Sequence, residues 1–107
     1  MELNQYQIVL VNFDPTIGSE IKKTRPGVII SPNEMNKYLR TIVVAPMTTK
    51  SKKYPTRVEI KHDNKIGWIV LDQIKTIDKQ RIIKSFGRLT QPDIKKLKSI
   101  LKETYID

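Results

Sequence analysis

The sequence predicts a small, mainly β domain in which a curled antiparallel sheet is accompanied by one C-terminal helix. With 107 residues, the chain has room for a single domain, which we expect to span residues 1–107. Five or more short apolar runs, rich in β-branched residues, are separated by brief polar loops. No long helical pattern lies between these runs, as a parallel βαβ sheet would require, and the one long helical pattern comes last.

The first three strands are predicted in the first half of the chain. Gln7–Phe13 and Gly27–Ser31 are apolar and β-branched, and the polar, Pro- and Gly-containing segment between them predicts a long loop. Ser31-Pro32-Asn33-Glu34 has the form of a capping box and predicts a short helix ending near Tyr38. Thr41–Met47 is nearly all apolar, so we expect a strand buried on both faces.

The second half continues the pattern. A basic loop is predicted over Thr48–Pro55, a half-exposed strand over Thr56–Ile60, a turn over His62–Lys65, and strands over Gly67–Leu71 and Ile82–Leu89. Asp78 is predicted to cap a short helical turn between the last two strands.

The terminal helix is predicted to start at Thr90, which is followed by Pro92 in the first turn. Five apolar residues then recur on one helical face: Ile94, Leu97, Ile100, Leu101 and Tyr105. Because the lysines of this segment fall mostly on other faces, we expect the apolar stripe to pack on the sheet.

Composition limits the environment of the protein. Hydrophobic residues make up 38% of the chain, and the longest apolar runs, such as Ile42–Ala45, are far too short to span a membrane. The start of the sequence has no pattern of a signal peptide. Cysteine is absent, so disulfides are excluded and we expect a cytoplasmic protein.

Charge indicates a polyanionic partner. The formal charge is +9, and residues 48–88 hold eleven basic residues against four acidic ones, which is most of the excess. Such an excess favours a nucleic acid or an acidic protein segment as partner, although a solvated basic surface that aids solubility is the alternative.

Metal- and cofactor-dependent chemistry is disfavoured. His62 is the sole histidine and is expected to face solvent beside Asp63 in a turn. The sequence has no P-loop, dinucleotide fingerprint or G-x-S-x-G elbow, so we expect neither a metal nor a cofactor. RNA cleavage needs none of these, because the 2′-OH of RNA can attack the adjacent phosphate.

Arg25 is the best candidate for stabilising such a reaction. It stands between Thr24 and Pro26, and Pro26 restricts the backbone at Arg25. A guanidinium matches phosphate oxygens and stays charged, although a structural arginine that bonds loop carbonyls is the alternative. Thr48 ends an apolar strand, where its hydroxyl could bond a phosphate oxygen or merely cap the strand.

Three blocks of sequence carry a family resemblance. They are Phe13–Thr16 with Gly18–Glu20 and Arg25–Pro26, then Val44–Thr49, and finally Leu71–Asp78. In this order they resemble the MazF/PemK family, the toxins of type II toxin–antitoxin pairs, most of which are ribonucleases. The resemblance implies an SH3-like small barrel of the Kid/PemK/MazF/CcdB type with a C-terminal helix, a homodimer, and a cognate acidic, MazE-like antitoxin as partner.

The resemblance also implies roles for individual residues. The family's catalytic Arg and Thr fall on Arg25 and Thr48, and Ser19 matches a loop position that assists at the phosphate. Asp72-Gln73 matches an acidic-Gln pair that lies near bound RNA. One branch has a catalytic Arg two residues before that acid, where this chain has Val70.

The remaining candidates support catalysis or bind RNA. The general base is left open between Glu20 and Asp72, because deprotonating Arg25 would be costly. Contacts to RNA are predicted for Lys22, Lys23, Thr49, Lys50, Lys52, Lys53, Tyr54, Gln73 and Lys75. Tyr54 and Trp68 could stack on bases, although core packing is the alternative for Trp68.

Together these features predict a toxin that cleaves single-stranded RNA or mRNA sequence-selectively. It is expected to act without metal, by 2′-OH attack, leaving a 2′,3′-cyclic phosphate and a 5′-OH. Two alternatives remain open: a non-catalytic toxin with the same barrel that binds DNA gyrase, and a plain RNA-binding barrel.

Overall fold

The computed structural model describes residues 2–13, 24–50, 53–62 and 64–106. Within these residues, seven strands and two helices follow one another: β1 (Gln7–Asn12), β2 (Thr24–Ile29), α1 (Asn33–Tyr38), β3 (Thr41–Thr48), β4 (Arg57–His62), β5 (Lys65–Val70), β6 (Lys75–Asp78), β7 (Ile82–Arg88) and α2 (Gln91–Tyr105). Short 3₁₀ turns over Leu71–Gln73 and Lys79–Arg81 flank β6. Within the described ranges, neither helix is both long and apolar enough to cross a membrane.

Strand β3 is the centre of the antiparallel sheet, whose main path runs β4-β5-β3-β2-β1-β7. One edge of β3 pairs with β2, while Thr41–Val44 pair with β6 and Met47 and Thr48 pair with β5. Pro46, which has no N–H to donate, falls between the residues that pair with β6 and those that pair with β5. By changing partners along its length, β3 lets the sheet curl into the predicted barrel.

Two apolar cores lie on opposite faces of β1, β2 and β3. Ile8, Val28 and Ala45 are paired across these strands and belong to the core that α2 covers through Ile94 and Leu97. Alternate residues, such as Val9 and Val44, belong to a second core between the sheet and β6 and β7. This alternation follows from the period of two in a strand, and it confirms that β3 is buried on both faces.

Close approach of β2 and β3 depends on a glycine. A Cβ added at Gly27 would lie 3.1 Å from the Ala45 carbonyl oxygen, closer than ordinary side-chain contacts. Gly87 has a φ of +112° and lies where the pairing of β1 with β7 is irregular, a conformation that glycine adopts at bulges.

The predicted terminal helix and the Asp78 turn are confirmed. The Thr90 hydroxyl accepts a hydrogen bond from the Asp93 amide at 3.4 Å, and Asp78 Oδ1 accepts one from the Gln80 amide at 2.8 Å. Leu97 is fully buried against the sheet. Tyr105 is half-exposed, but its hydroxyl donates to the Leu71 carbonyl oxygen and so ties the end of α2 to the 3₁₀ turn after β5.

The capping box predicted at Ser31 is wrong. Pro32 is the N-cap of α1 and makes no side-chain cap bond. Ser31 is buried instead: its hydroxyl donates to Asn36 Oδ1 and accepts from the Val43 amide at 3.0 Å. The side chain therefore joins α1 to β3, because burial made a tertiary bond available that outcompeted the local one.

Two strands, β2 and β6, differ most from prediction. β2 begins at Thr24 rather than at Gly27, so Arg25 and Pro26 lie in a strand and not in the predicted loop, and they are paired with Val11 and Leu10. β6 was not predicted, since its four residues are mostly exposed and only Ile77 is buried. In both cases, pairing with a neighbouring strand outweighed weak local propensity.

Candidate active site

A cavity of about 560 Å³ opens where the beginning of β2, the end of β3 and the beginning of β5 meet. It is lined by Thr24, Arg25, Pro26, Met47, Thr48, Thr49, Lys50, Lys65, Ile66 and Gly67. Four of the predicted site residues thus meet here, namely Arg25, Thr48, Thr49 and Lys50.

Strand register brings Arg25 and Thr48 together. The pairing of β2 with β3 ends at Gly27 and Pro46, and Arg25 lies two residues before that pair while Thr48 lies two residues after it. On its other side, Arg25 is opposite Val11 of β1. The arginine and the threonine therefore line the same cavity, although they are far apart in sequence.

The Arg25 side chain is half-buried at the wall of the cavity. Its backbone is fixed twice, by pairing with Val11 and by the conformational restriction that Pro26 imposes. Among the described residues, no hydrogen bond or ion pair to the Arg25 guanidinium is found. A positioned cation whose donors face a cavity suits an incoming phosphate oxygen.

The Thr48 hydroxyl is oriented by the turn that follows β3. It accepts a hydrogen bond from the Lys50 amide at 3.1 Å and donates one to the Lys50 carbonyl oxygen at 3.3 Å. The Thr48 hydroxyl therefore caps the end of β3, which was the alternative role predicted for it. A hydroxyl has two acceptor positions and one donor, so the long 3.3 Å bond could be exchanged for one to a phosphate oxygen.

The cavity combines an apolar floor with a cationic rim. Met47 and Gly67 are buried at the floor, while Ile66 is exposed at its edge. Lys50 and Lys65 supply the exposed cations. Lys65 and Ile66 were not predicted from the sequence. They reach the cavity only because β5 pairs with β3, and no local sequence pattern predicts that pairing.

Asp72 and its neighbours lie outside this cavity. Asp72 Oδ1 accepts hydrogen bonds from the Thr56 hydroxyl at 3.0 Å and from Arg57 Nε at 3.3 Å. Partial burial disfavours the charged carboxylate, but the hydrogen bonds from Arg57, Thr56 and the Asp72 backbone, together with the positive charge of Arg57, outweigh that effect and hold the pKa of Asp72 below its ordinary value of 3.8. A lowered pKa makes Asp72 a weaker base.

Gln73 and Lys75 continue the chain from Asp72. Gln73 is exposed at the end of the 3₁₀ turn, and Lys75 is exposed at the start of β6. The Lys75 ammonium lies 5.6 Å from the centre of the Phe13 ring, within the range of a cation–π contact. Neither residue lines the cavity that holds Arg25.

Lys53 and Tyr54 belong to a second cavity of about 380 Å³ between β4, β5 and α2. Its lining residues are Lys53, Tyr54, Pro55, Arg57, Val58, Glu59, Trp68, Lys96, Ser99 and Ile100. The predicted RNA-binding residues of the basic loop are therefore divided, since Lys50 faces the first cavity and Lys53 the second.

Five predicted site residues lie outside the described residues: Ser19, Glu20, Lys22, Lys23 and Lys52. Within the parts of the chain that the structure describes, no group of three or more His, Cys, Asp or Glu side chains could hold a metal ion.

A family model described as the PemK-like, MazF-like toxin of type II toxin–antitoxin systems matches residues 4–105, nearly the whole sequence. The chain belongs to this toxin family. Among curated relatives, the endoribonuclease toxin MazF of Escherichia coli strain K12 is 39% identical over 70 residues, which are 65% of this chain. The match spans 63% of the length of that relative.

Solved structures show that the fold is that of MazF toxins. MazF from Deinococcus radiodurans matches with a TM-score of 0.81 at 21% identity, over 97% of this chain and 96% of that one. An endoribonuclease from a mycobacterial species, solved in complex with its cognate antitoxin, matches with a TM-score of 0.80 at 20% identity, over 94% and 92% of the two chains. The SH3-like barrel with a C-terminal helix is thereby confirmed.

Proposed function

We propose that this member of the toxin family is an endoribonuclease that cleaves single-stranded RNA sequence-selectively and without a metal ion. The observation that carries the proposal is the meeting of Arg25 and Thr48 in one cavity with a cationic rim. The 39% identical relative is an endoribonuclease toxin, which supports the same activity. Cleavage of mRNA would inhibit translation and growth.

In the proposed reaction, the 2′-oxygen of a ribose attacks the adjacent phosphorus while a base removes its proton. The bond to the 5′-oxygen breaks, an acid protonates that oxygen, and the products are a 2′,3′-cyclic phosphate and a 5′-OH. Arg25 donates to the non-bridging oxygens, where negative charge grows in the transition state. Thr48 donates its hydroxyl proton to the same phosphate and fixes its position.

The base is sought between Glu20 and Asp72. Asp72 is bound to Thr56 and Arg57, its pKa is lowered, and it does not line the Arg25 cavity, all of which weigh against it. Glu20 precedes β2 in the chain and is the better choice on these grounds.

The proposal includes two partners besides RNA. Membership of a type II toxin–antitoxin family supports a cognate antitoxin, and an acidic antitoxin segment would complement the excess of basic residues. We also propose that the protein forms a homodimer and is located in the cytoplasm.

The test is incubation of the purified protein with a long single-stranded RNA in excess EDTA. Cleavage should persist, and the products should carry 2′,3′-cyclic phosphate and 5′-OH ends. Replacing the 2′-OH at the cut site by hydrogen should abolish cleavage there. Loss of activity with EDTA that Mg²⁺ restores would contradict the mechanism, and inhibition of DNA gyrase without RNA cleavage would favour the gyrase-binding alternative.

A further inference from the structure

The second cavity has the chemistry of a site for a nucleobase. Tyr54 and Trp68 contribute aromatic rings, and Lys53 and Lys96 contribute ammonium groups. The Arg57 guanidinium lies 4.9 Å from the centre of the Tyr54 ring. Aromatic side chains combined with cations are the usual means of binding single-stranded nucleic acid.

Trp68 lines this cavity and is paired with Thr48, which lines the cavity that holds Arg25. In the sheet, Trp68 is directly opposite Thr48 of β3 on one side and Glu59 of β4 on the other. Side chains that are directly opposite share one face, and neighbouring strands are about 4.8 Å apart. The indole therefore stands immediately beside Thr48, and the Glu59 carboxylate stands on its far side.

The carboxylate of Glu59 favours a nucleobase over a phosphate in this cavity. It is exposed at the lining of the cavity, and among the described residues no hydrogen bond or ion pair involves its carboxylate. A carboxylate repels a phosphate but accepts hydrogen bonds from an exocyclic amino group, as Glu does from cytosine N4. Single-stranded RNA exposes such groups on its base edges.

We propose that Trp68 and Glu59 form a nucleobase subsite for the nucleotide next to the cleaved phosphate. The base stacks on the Trp68 indole, and Glu59 accepts a hydrogen bond from its exocyclic amino group, so adenine, cytosine and guanine are preferred to uracil there. The inference rests on the proposed ribonuclease function, because it takes Thr48 to mark the position of the phosphate.

An acidic protein segment is the rival occupant, and the structure favours RNA over it. The carboxylates of an acidic segment would be repelled by the Glu59 carboxylate, whereas the amino group of a nucleobase would donate a hydrogen bond to it. Trp68 of this cavity is also paired with Thr48 of the Arg25 cavity, so one RNA strand that binds at Arg25 can extend to Trp68.

The sequence offers a direct probe, because Trp68 is the sole tryptophan of the chain. Single-stranded RNA with 2′-O-methyl groups cannot be cleaved by 2′-OH attack, so it permits equilibrium titration. Binding, followed by the anisotropy of a labelled oligonucleotide, should quench Trp68 emission with the same saturation curve. Saturated anisotropy with unchanged emission would overturn the inference, as would quenching by a synthetic peptide of alternating Glu and Leu residues but not by RNA.

Variants test the stacking separately. Trp68→Ala should weaken RNA binding about 5- to 150-fold, the range expected for loss of one stacked base, and Trp68→Phe should restore most of it. KM should rise while the single-turnover rate at saturation changes little. If Trp68→Ala has a lowered Tm and its RNA binding falls only as far as the protein unfolds, and if Trp68→Phe does not restore binding, then Trp68 has a structural role instead.

Glu59→Ala tests base selection, and the exposed Glu34 of α1 gives a matched control. Wild-type protein and Glu34→Ala should discriminate against uracil at the subsite on the order of tenfold, as one charged hydrogen bond allows, and Glu59→Ala should lose that preference. An unchanged preference would overturn the role of Glu59. Cleavage of unmodified RNA by the wild type tests the proposed function independently, because cleavage can persist while Trp68 and Glu59 prove irrelevant.

Discussion

Removal of the Arg25 guanidinium is the sharpest test of the candidate active site. Arg25→Ala deletes the donor fork and leaves the β2 backbone, with its pairing to Val11, in place. Arg25→Lys keeps the positive charge but removes the planar pair of donors that can hold two phosphate oxygens. The two variants therefore separate charge from geometry.

The expected loss of activity is large. If Arg25 stabilises the charge that grows on phosphorus, Arg25→Ala should slow the cleavage step on the order of 10²–10³-fold, as removal of one preorganised donor does. Arg25→Lys should recover part of that rate. RNA affinity should change much less than the rate, because Lys50 and Lys65 keep the rim of the cavity cationic and the lost interaction matters most in the transition state.

The expected loss of stability is small. Arg25 is half-buried, and no hydrogen bond of its guanidinium within the described residues would be broken. Truncation removes mainly the contact of its aliphatic stem, which we expect to cost about 1 kcal/mol or less. For a domain of this size, that corresponds to a fall in Tm of no more than about 6 °C.

Single-turnover cleavage, RNA affinity and thermal melting should be measured for both variants. Arg40→Ala is the matched control, since this exposed arginine precedes the opposite end of β3, roughly 25 Å of strand from Thr48. A folded Arg25→Ala protein that cleaves at the rate of the Arg40→Ala control would remove Arg25 from the mechanism. Loss of activity in proportion to unfolding in both Arg25 variants would indicate a structural arginine.

Four further predictions concern other residues. Thr48→Ala should slow single-turnover cleavage while Thr48→Ser retains most of the rate, and equal rates for the two would show that the hydroxyl is dispensable. Lys50→Ala should lower the salt slope of RNA binding by roughly 0.7, the value for one single-strand phosphate contact, and an unchanged slope would exclude that contact. Because the pKa of Asp72 is lowered, its stabilising contribution is full above its ordinary pKa of 3.8 and is lost as pH falls through the folded-state value. Asp72→Asn should therefore lower the free energy of unfolding at pH 7 by less than about 1 kcal/mol, and a deficit that does not shrink in acid would refute the ion pair with Arg57. Leu97→Ala should destabilise the fully buried contact of α2 with the sheet by about 2–5 kcal/mol in denaturant unfolding, and a smaller loss would mean that α2 contributes little to the core.

The sequence by itself determined the mainly β architecture and most of its elements. β1, β3, β5, β7 and α2 were predicted to within a few residues, because their periodicity, capping residues and apolar runs are local properties of the chain. Resemblance to the toxin family, carried by three short blocks of residues, was confirmed by the family match over residues 4–105. Residue type and neighbours made Arg25 and Thr48 candidates but left a structural role open for each, and their catalytic roles, which stay predictions, came from the family resemblance.

Only the tertiary structure decided how the candidate residues are grouped. It set Arg25 in a strand, brought it to one cavity with Thr48 and Lys65, and assigned Lys53 to a second cavity with Trp68. It also turned Ser31 from an expected helix cap into a buried link between α1 and β3. The physical reason is that strand register is a non-local property: it depends on which apolar faces are buried together, and short, half-polar segments such as β6 acquire their structure only from the strand that they pair with.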